Sequence, residues 1–121
     1  DVYYIRGNVE HYIEAKAKAR ELTKEQTDKK STGSYTIYFE SGKSYSGKGG
    51  IDRACASAAF RSWANDTMPI SIDWKPSAND KEAFEAEYIR IQDHGGPKSR
   101  YSDADKYNYN EIQSLGSIFI K

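Results

Sequence analysis

The chain has 121 residues, of which 37% are hydrophobic and 30% are charged. This length suits a single domain with a small core, and this composition argues against a disordered, collagen-like or membrane-spanning chain. Its 18 basic and 18 acidic side chains give a formal net charge of zero. A neutral chain is poorly suited to coating nucleic acid without regard to sequence, because such binding depends on neutralising many phosphates.

The sequence of residues 1–33 predicts an N-terminal helical extension. Asn8 is suited to cap a helix, and apolar residues follow one face of that helix at Ile5, Val9, Tyr12 and Ile13. Charged residues replace this apolar stripe after Ala15. We therefore expect the first half of the helix to pack against the domain and the second half to be solvated.

The sequence of residues 34–121 predicts a compact second unit that begins with a β-hairpin. Residues 35–39 are rich in strand-forming types, and residues 43–46 follow after a turn that contains Gly42. The glycine-rich segment 47–50 is expected to end the hairpin. Asp52 is suited to cap the next helix, approximately residues 53–64, whose alanines predict that the single cysteine, Cys55, is buried.

A third strand and a further helix are expected after that helix. Residues 70–74 alternate apolar and polar side chains, as a strand does, and residues 77–80 offer caps for a helix that runs to about Gln92. The predicted fold class is therefore α+β: a small three-stranded antiparallel sheet in the order hairpin, helix, strand, helix, flanked by helices and preceded by the N-terminal helix.

Residues suited to phosphodiester chemistry follow one another along these elements. They are the hairpin motifs Tyr35-Thr36-Ile37-Tyr38 and Tyr45-Ser46-Gly47-Lys48, then Arg53, Glu87 and Asn110. This order resembles that of the GIY-YIG endonuclease family, whose core has the same order of elements. Residues 36–38 correspond to the first motif, with Thr36 in place of its glycine, and residues 45–47 to the second, with Ser46 in place of an apolar residue.

The resemblance implies a role for each of these residues. Tyr38 and Tyr45 would be the two active-site tyrosines, and Arg53 would be the active-site arginine, with Arg61 as the fallback. Glu87 would be the metal ligand, because an isoleucine follows it by four residues as in the family. Residues 109–116, which include Asn110, resemble the closing asparagine motif of family members that are toxin domains.

The chemistry of phosphodiester hydrolysis requires the same residue types. Glu87 is suited to hold one Mg²⁺ or Mn²⁺ ion, and Arg53 to bind the scissile phosphate through a bidentate fork. Tyr38 or Tyr45 would take a proton from water, with Lys48 assisting, and the other tyrosine would position the phosphate. The sequence leaves open which tyrosine is the base.

Positive charge is concentrated around the second motif. Between residues 42 and 61 the basic side chains are Lys43, Lys48, Arg53 and Arg61, and the acidic one is Asp52. We expect Lys43 and Arg61 to contribute to substrate binding. A local basic surface on a neutral protein suits an enzyme that binds nucleic acid at one site.

Each candidate residue also has a purely structural interpretation. The two tyrosines would serve equally as a cross-strand packing pair. Glu87 would serve as a solvated helix charge paired with Arg90 or Lys81. The arginine would serve as a surface residue, and the asparagine as a turn former.

The expected function is that of a monomeric metal-dependent endonuclease, with DNA favoured over RNA as substrate. The resemblance of the closing motif, the absence of a starting Met and the absence of a separate DNA-recognition module favour the toxin domain of a larger secreted protein. Such a domain would act in the cytoplasm of a target cell and would have a cognate immunity protein. The alternatives are the catalytic domain of a repair or mobile-element endonuclease, and a non-catalytic nucleic-acid-binding module on the same fold.

Overall fold

The computed structural model describes residues 9–26, 31–94 and 109–110. Its elements are α1 (Val9–Leu22), β1 (Gly33–Phe39), β2 (Ser44–Lys48), α2 (Ile51–Ala64), β3 (Pro69–Pro76) and α3 (Asp80–Asp93). The predicted α+β class is confirmed, with a three-stranded antiparallel sheet and one helix before it. The expected cap Asn8 and residues 111–116 of the closing motif lie outside the described residues. No helix within the described ranges is long and apolar enough to cross a bilayer.

The sheet has the strand order β2-β1-β3, with β1 antiparallel to both neighbours. β1 begins two residues earlier than expected, at Gly33, where a Cβ atom would lie 2.2 Å from the carbonyl oxygen of Lys75 on β3. Glycine is therefore required for the close approach of the two strands. β2 continues through Gly47 to Lys48, so Gly47 does not end the hairpin as expected.

One face of the sheet is apolar and packs against α2. Successive side chains of a strand point to opposite faces, so alternate residues of β1 face the helix. The buried residues that form this core on the sheet and on α2 are Tyr35, Ile37, Phe39, Ile51, Ala54, Cys55, Ala58 and Trp74. The predicted burial of Cys55 is confirmed.

The opposite face of the sheet is polar and is bound to α3 by one arginine. Arg90 donates from Nε to Ser34 Oγ at 2.8 Å, and from its terminal nitrogen to Thr36 Oγ1 at 2.9 Å. The same nitrogen pairs with Asp73 Oδ2 on β3 at 3.1 Å. These bonds connect α3 to β1 and β3 and so fix the helix that carries Glu87.

The N-terminal helix packs through small residues, and the expectation that its large apolar stripe would pack is wrong. Ala15 and Ala19 are fully buried, and Thr23 follows them at the same four-residue spacing and is 4% exposed. By contrast, Val9 and Ile13 are 47% and 59% exposed. Small side chains let the backbone of α1 lie close to α2, so packing extends from Ala15 into the second half of α1, which was expected to be solvated.

The two later helices begin in different ways. α2 begins at Ile51, preceded by Gly50, which makes no side-chain cap, so Asp52 lies in the first turn and is not the expected cap. α3 begins after Asn79, whose side-chain oxygen accepts from the backbone N–H of Glu82 at 2.9 Å. The prediction of a side-chain cap within residues 77–80 is confirmed.

Replacing Ala19 by leucine is expected to destabilise the protein by about 1–3 kcal/mol, because the added side chain has no room between α1 and the core. Ala17→Leu, on the exposed side of the same helix, is the matched control and should change the free energy of unfolding by less than about 0.5 kcal/mol. Urea denaturation measures both variants. Equal unfolding free energies for the two variants would contradict the packing of α1.

Candidate active site

A buried phenol on β1 forms the floor of the candidate site. Tyr35 is 1% exposed, and its hydroxyl lies 2.8 Å from Ser57 Oγ on α2. The ring lies over Gly47, its partner on β2, and a Cβ atom built on Gly47 would be 2.4 Å from the Tyr35 hydroxyl. Any side chain at position 47 would displace the phenol, so the glycine fixes where the phenol lies.

Charged and polar side chains surround the phenol closely enough to act on its pKa. Burial is the main cause that raises the pKa of Tyr35 to about 12, and Tyr45 and Glu87 add to the increase. The hydrogen bond with Ser57 and the charge of Arg53 oppose it. Tyr35 is therefore protonated at neutral pH, and the side chains expected at positions 45, 53 and 87 all act electrostatically on it.

One stripe of α2 lies over the two tyrosines of this face. Arg53, Ser57 and Arg61 recur at intervals of four residues, which places them on one side of the helix. Ser57 contacts Tyr35, and the guanidinium carbon of Arg61 lies 4.3 Å from the centroid of the Tyr45 ring. The helix therefore presents a hydroxyl between two cations.

The turn between β2 and α2 positions Arg53. The side chain of Arg53 lies against Gly49, where a Cβ atom would be 2.7 Å from Arg53 Cγ. Gly49 has a φ of +145°, in the region that favours glycine, and its carbonyl oxygen accepts from Trp74 Nε1 at 2.9 Å. The core tryptophan thus holds the turn, and the turn leaves the exposed Arg53 at the entrance of the site.

Glu87 approaches the site from the other helix. It lies on α3 midway between Ala83 and Ile91, which are both buried, and it is itself half-buried. Its charge makes the smallest of the contributions to the pKa of Tyr35 and raises it. We call the six residues described so far the phenol cluster: Tyr35, Tyr45, Arg53, Ser57, Arg61 and Glu87.

Tyr38, the other expected active-site tyrosine, lies on the opposite face of the sheet. Its hydroxyl lies 3.1 Å from His94 Nε2, and His94 Nδ1 lies 2.7 Å from the carbonyl oxygen of Arg90. A carbonyl only accepts, so Nδ1 carries the proton and Nε2 accepts from Tyr38. Tyr38 and Tyr45 are separated because Tyr45 pairs with Ile37, one position away on β1.

Tyr35 was not predicted as a site residue, because the resemblance to the first motif was placed at residues 36–38. Gly33-Ser34-Tyr35 has glycine, any residue and tyrosine in the order of that motif, without the substitution that Thr36 introduces. The glycine was the available sequence signal. The pairing of Tyr35 with Gly47 gives the physical reason for preferring it, since both motifs then meet across the hairpin.

The two lysines lie outside the phenol cluster. Lys48 Nζ pairs with Asp80 Oδ1 at 3.2 Å and lies 4.5 Å from the centroid of the Phe84 ring, both on α3. Lys48 therefore points away from Tyr45, and Arg61 is the cation that contacts that tyrosine. Lys43 lies beside the Tyr109 ring, at 5.6 Å from its centroid, at the turn end of the hairpin.

Asn110 binds the edge of β2 and does not face the phenols. Its Nδ2 donates to the carbonyl oxygen of Ser46 at 2.7 Å, and its Oδ1 accepts from the Ser46 N–H at 2.9 Å. The preceding N–H, that of Tyr109, donates to the Ser44 carbonyl oxygen at 2.6 Å. Asn110 is thus a positioning residue that fixes the backbone between Tyr45 and Gly47.

No family model, no curated protein and no solved structure matches the chain. The function of the chain is therefore inferred from the phenol cluster.

Replacing Asn110 by aspartate is expected to destabilise the protein by about 1–3 kcal/mol, because an oxygen then faces the Ser46 carbonyl and one buried acceptor loses its donor. Asn79→Asp is the matched control, since it makes the same atomic change at an exposed cap whose side-chain oxygen only accepts, from the Glu82 N–H, and aspartate keeps that bond. Urea denaturation compares them. Stabilities that agree within about 0.5 kcal/mol would exclude the positioning role.

The raised pKa of Tyr35 predicts a stability change at high pH. Between pH 10 and 12 the unfolded chain has released this proton and the folded chain retains it. The folded state then binds more protons, so this group's contribution to the free energy of unfolding falls as pH rises, by on the order of 2–3 kcal/mol. Tyr35→Phe should lack this part of the decrease. Parallel stability curves for the two proteins across this window, measured by urea denaturation, would contradict the burial of the phenol.

Proposed function

We propose that the chain is a metal-dependent endonuclease that hydrolyses phosphodiester bonds of nucleic acid. The observation that carries the proposal is the phenol cluster, in which a carboxylate, two guanidinium groups and two phenols come from both hairpin strands and both following helices. These groups are the ones that bind phosphate, hold a hard cation and accept a proton. The packing of the Tyr35 ring over the motif glycine, Gly47, supports the GIY-YIG resemblance in addition to the order of these residues in the chain.

Arg53 is proposed to bind the scissile phosphate. It is exposed and lies in the first turn of α2, where the positive end of the helix dipole adds to the attraction for an anion. A guanidinium fork also matches two phosphate oxygens and supplies strong, charge-assisted hydrogen bonds. Arg53 would therefore orient the phosphate and stabilise its developing charge.

Glu87 is proposed to hold one Mg²⁺ or Mn²⁺ ion. Its half-buried carboxylate is the acidic side chain of the phenol cluster, and its charge adds to the raised pKa of Tyr35. This donor set fits Mg²⁺, which is commonly bound through one or two carboxylates and substrate phosphate and keeps several waters. When bound, such an ion acts as a Lewis acid and stabilises the leaving oxygen.

Tyr45 is proposed to accept the proton of the attacking water. It is half-buried and so can reach a substrate, whereas Tyr35 is buried and stays protonated at neutral pH. Tyr35 is instead a positioning residue, since its hydroxyl binds Ser57 and its ring lies over Gly47. Arg61, not Lys48, is the cation that contacts the Tyr45 ring.

The biological setting is part of the same proposal. The resemblance of residues 109–116 to the closing motif of toxin-type members favours a toxin domain that acts in the cytoplasm of a target cell. A cell that makes such an enzyme must be protected from it, so a cognate immunity protein is proposed as the partner. DNA is proposed as the substrate ahead of RNA, and the cleavage assay below compares the two.

Two pairs of matched variants test the chemistry. Tyr45→Phe and Glu87→Gln are expected to lower the rate of cleavage about 10²–10³-fold, because each removes a group placed at the reacting phosphate. Tyr38→Phe and Glu85→Gln make the same atomic changes outside the phenol cluster and should leave the rate within about threefold of wild type. The measurement is cleavage of plasmid DNA and of total RNA with Mg²⁺ and with EDTA.

Several outcomes would count against the proposal. Full activity of Glu87→Gln would rule out Glu87 as the metal ligand. Loss of activity in Tyr38→Phe but not in Tyr45→Phe would place the site on the other face of the sheet. Cleavage that EDTA does not affect would exclude the divalent ion. Binding of either nucleic acid by the wild-type protein without any cleavage would favour the non-catalytic module.

A further inference from the structure

We infer that Arg61 binds a second phosphate of the substrate strand, so that the preferred substrate is a polynucleotide several nucleotides long. The inference rests on the proposed function and deepens it. It assigns to α2 two phosphate sites on one side of the helix, with Arg53 at the scissile phosphate and Arg61 farther along the strand.

The first observation is that Arg61 has no counter-ion among the described residues. Its Nε–H is buried without a hydrogen-bond partner, and no carboxylate there forms an ion pair with it. By contrast, Lys48 is paired with Asp80 and Arg90 with Asp73. A half-buried cation without a partner is unfavourable, and an anionic ligand would remove the penalty.

The second observation is how the guanidinium is held. It lies 4.3 Å from the centroid of the Tyr45 ring and 5.2 Å from that of the Phe60 ring. Contacts with aromatic faces orient the planar group without using its terminal N–H donors. Those donors remain available for a bidentate interaction with phosphate oxygens.

The third observation is the spacing of the two arginines. Arg53 and Arg61 are eight residues apart on α2, a rise of about 12 Å along the helix axis. The two side chains therefore leave the helix far enough apart for each to bind a separate phosphate. A strand in a duplex has a phosphate about every 3.4 Å along its axis, so the two arginines span about three to four phosphates. A dinucleotide is too short to reach both.

The test compares wild type and Arg61→Gln on a thymidine dinucleotide, a hexanucleotide and a dodecanucleotide. Wild type is expected to cleave the dodecanucleotide with a kcat/KM at least about tenfold above that for the dinucleotide. Arg61→Gln should reduce this preference for length by about tenfold, the effect of removing one charge-assisted hydrogen bond. Arg61→Lys, which keeps the charge and removes the fork, should give an intermediate value.

The salt dependence separates phosphate binding from a structural role. For the dodecanucleotide, the slope of log affinity against log salt concentration should fall by about 0.7–0.9 in Arg61→Gln, as expected when the protein neutralises one phosphate fewer. Arg20→Gln makes the same change at an exposed position on α1 and should leave both the length preference and the slope unchanged.

The outcomes distinguish this inference from the proposed function. An equal loss of activity on the dinucleotide and the dodecanucleotide, or no loss on either, would overturn the second phosphate site and leave the nuclease intact. If wild type cleaves none of the substrates, the proposed function fails. Fluorescence anisotropy with the dodecanucleotide then decides the inference: equal Kd values and salt slopes for wild type and Arg61→Gln overturn it, and a weaker Kd with a reduced slope supports it.

Discussion

The packing of the Tyr35 ring over the bare backbone of Gly47 is the constraint on which the candidate site depends. A Cβ atom at position 47 would lie within 2.4 Å of the phenol oxygen, so only glycine lets the ring occupy this place. With the ring there, its hydroxyl binds Ser57 and sets the face that α2 presents to the sheet. Tyr45, Arg53, Arg61 and Glu87 then surround a buried, protonated phenol.

Different kinds of interaction hold the three elements around that phenol. Small buried residues such as Ala58 allow α2 to lie against the apolar face of the sheet. Hydrogen bonds from Arg90 attach α3 to the polar face. The side-chain amide of Asn110 takes the place of a neighbouring strand at the edge of β2.

The order of the elements was predictable because it depends on local patterns. Alternation, the turn at Gly42 and the capping residues near Asn79 each act within a few residues, and the structure confirms the elements they indicated. The packing face of α1 was not predictable in this way. Ala15 and Ala19 carry little apolar area and so look less important than Ile13, yet small size is what a close helix pair requires.

The candidate site was only partly predictable for a related reason. Tyr45, Arg53 and Glu87 were predicted from their order, and all three act on the pKa of Tyr35. The choice between Tyr35 and Tyr38 depends on the register of the hairpin, which the sequence alone does not give. Tyr45 lies opposite Ile37, so side chains two residues from Ile37 share its face of the sheet. Tyr35 meets that condition and Tyr38 does not. Lys48 is separated from Tyr45 by the same alternation.

The most direct test of the phenol cluster is the effect of Mn²⁺ on the amide resonances of the isotopically labelled protein. A paramagnetic ion at Glu87 should broaden the signals of Glu87 and its neighbours on α3 together with those of Gly47, Tyr35, Tyr45 and Arg53, which are remote in sequence, and this pattern should vanish in Glu87→Gln. Broadening that is centred elsewhere in the chain, or that persists unchanged in Glu87→Gln, would contradict a single site built from both hairpin strands and both following helices.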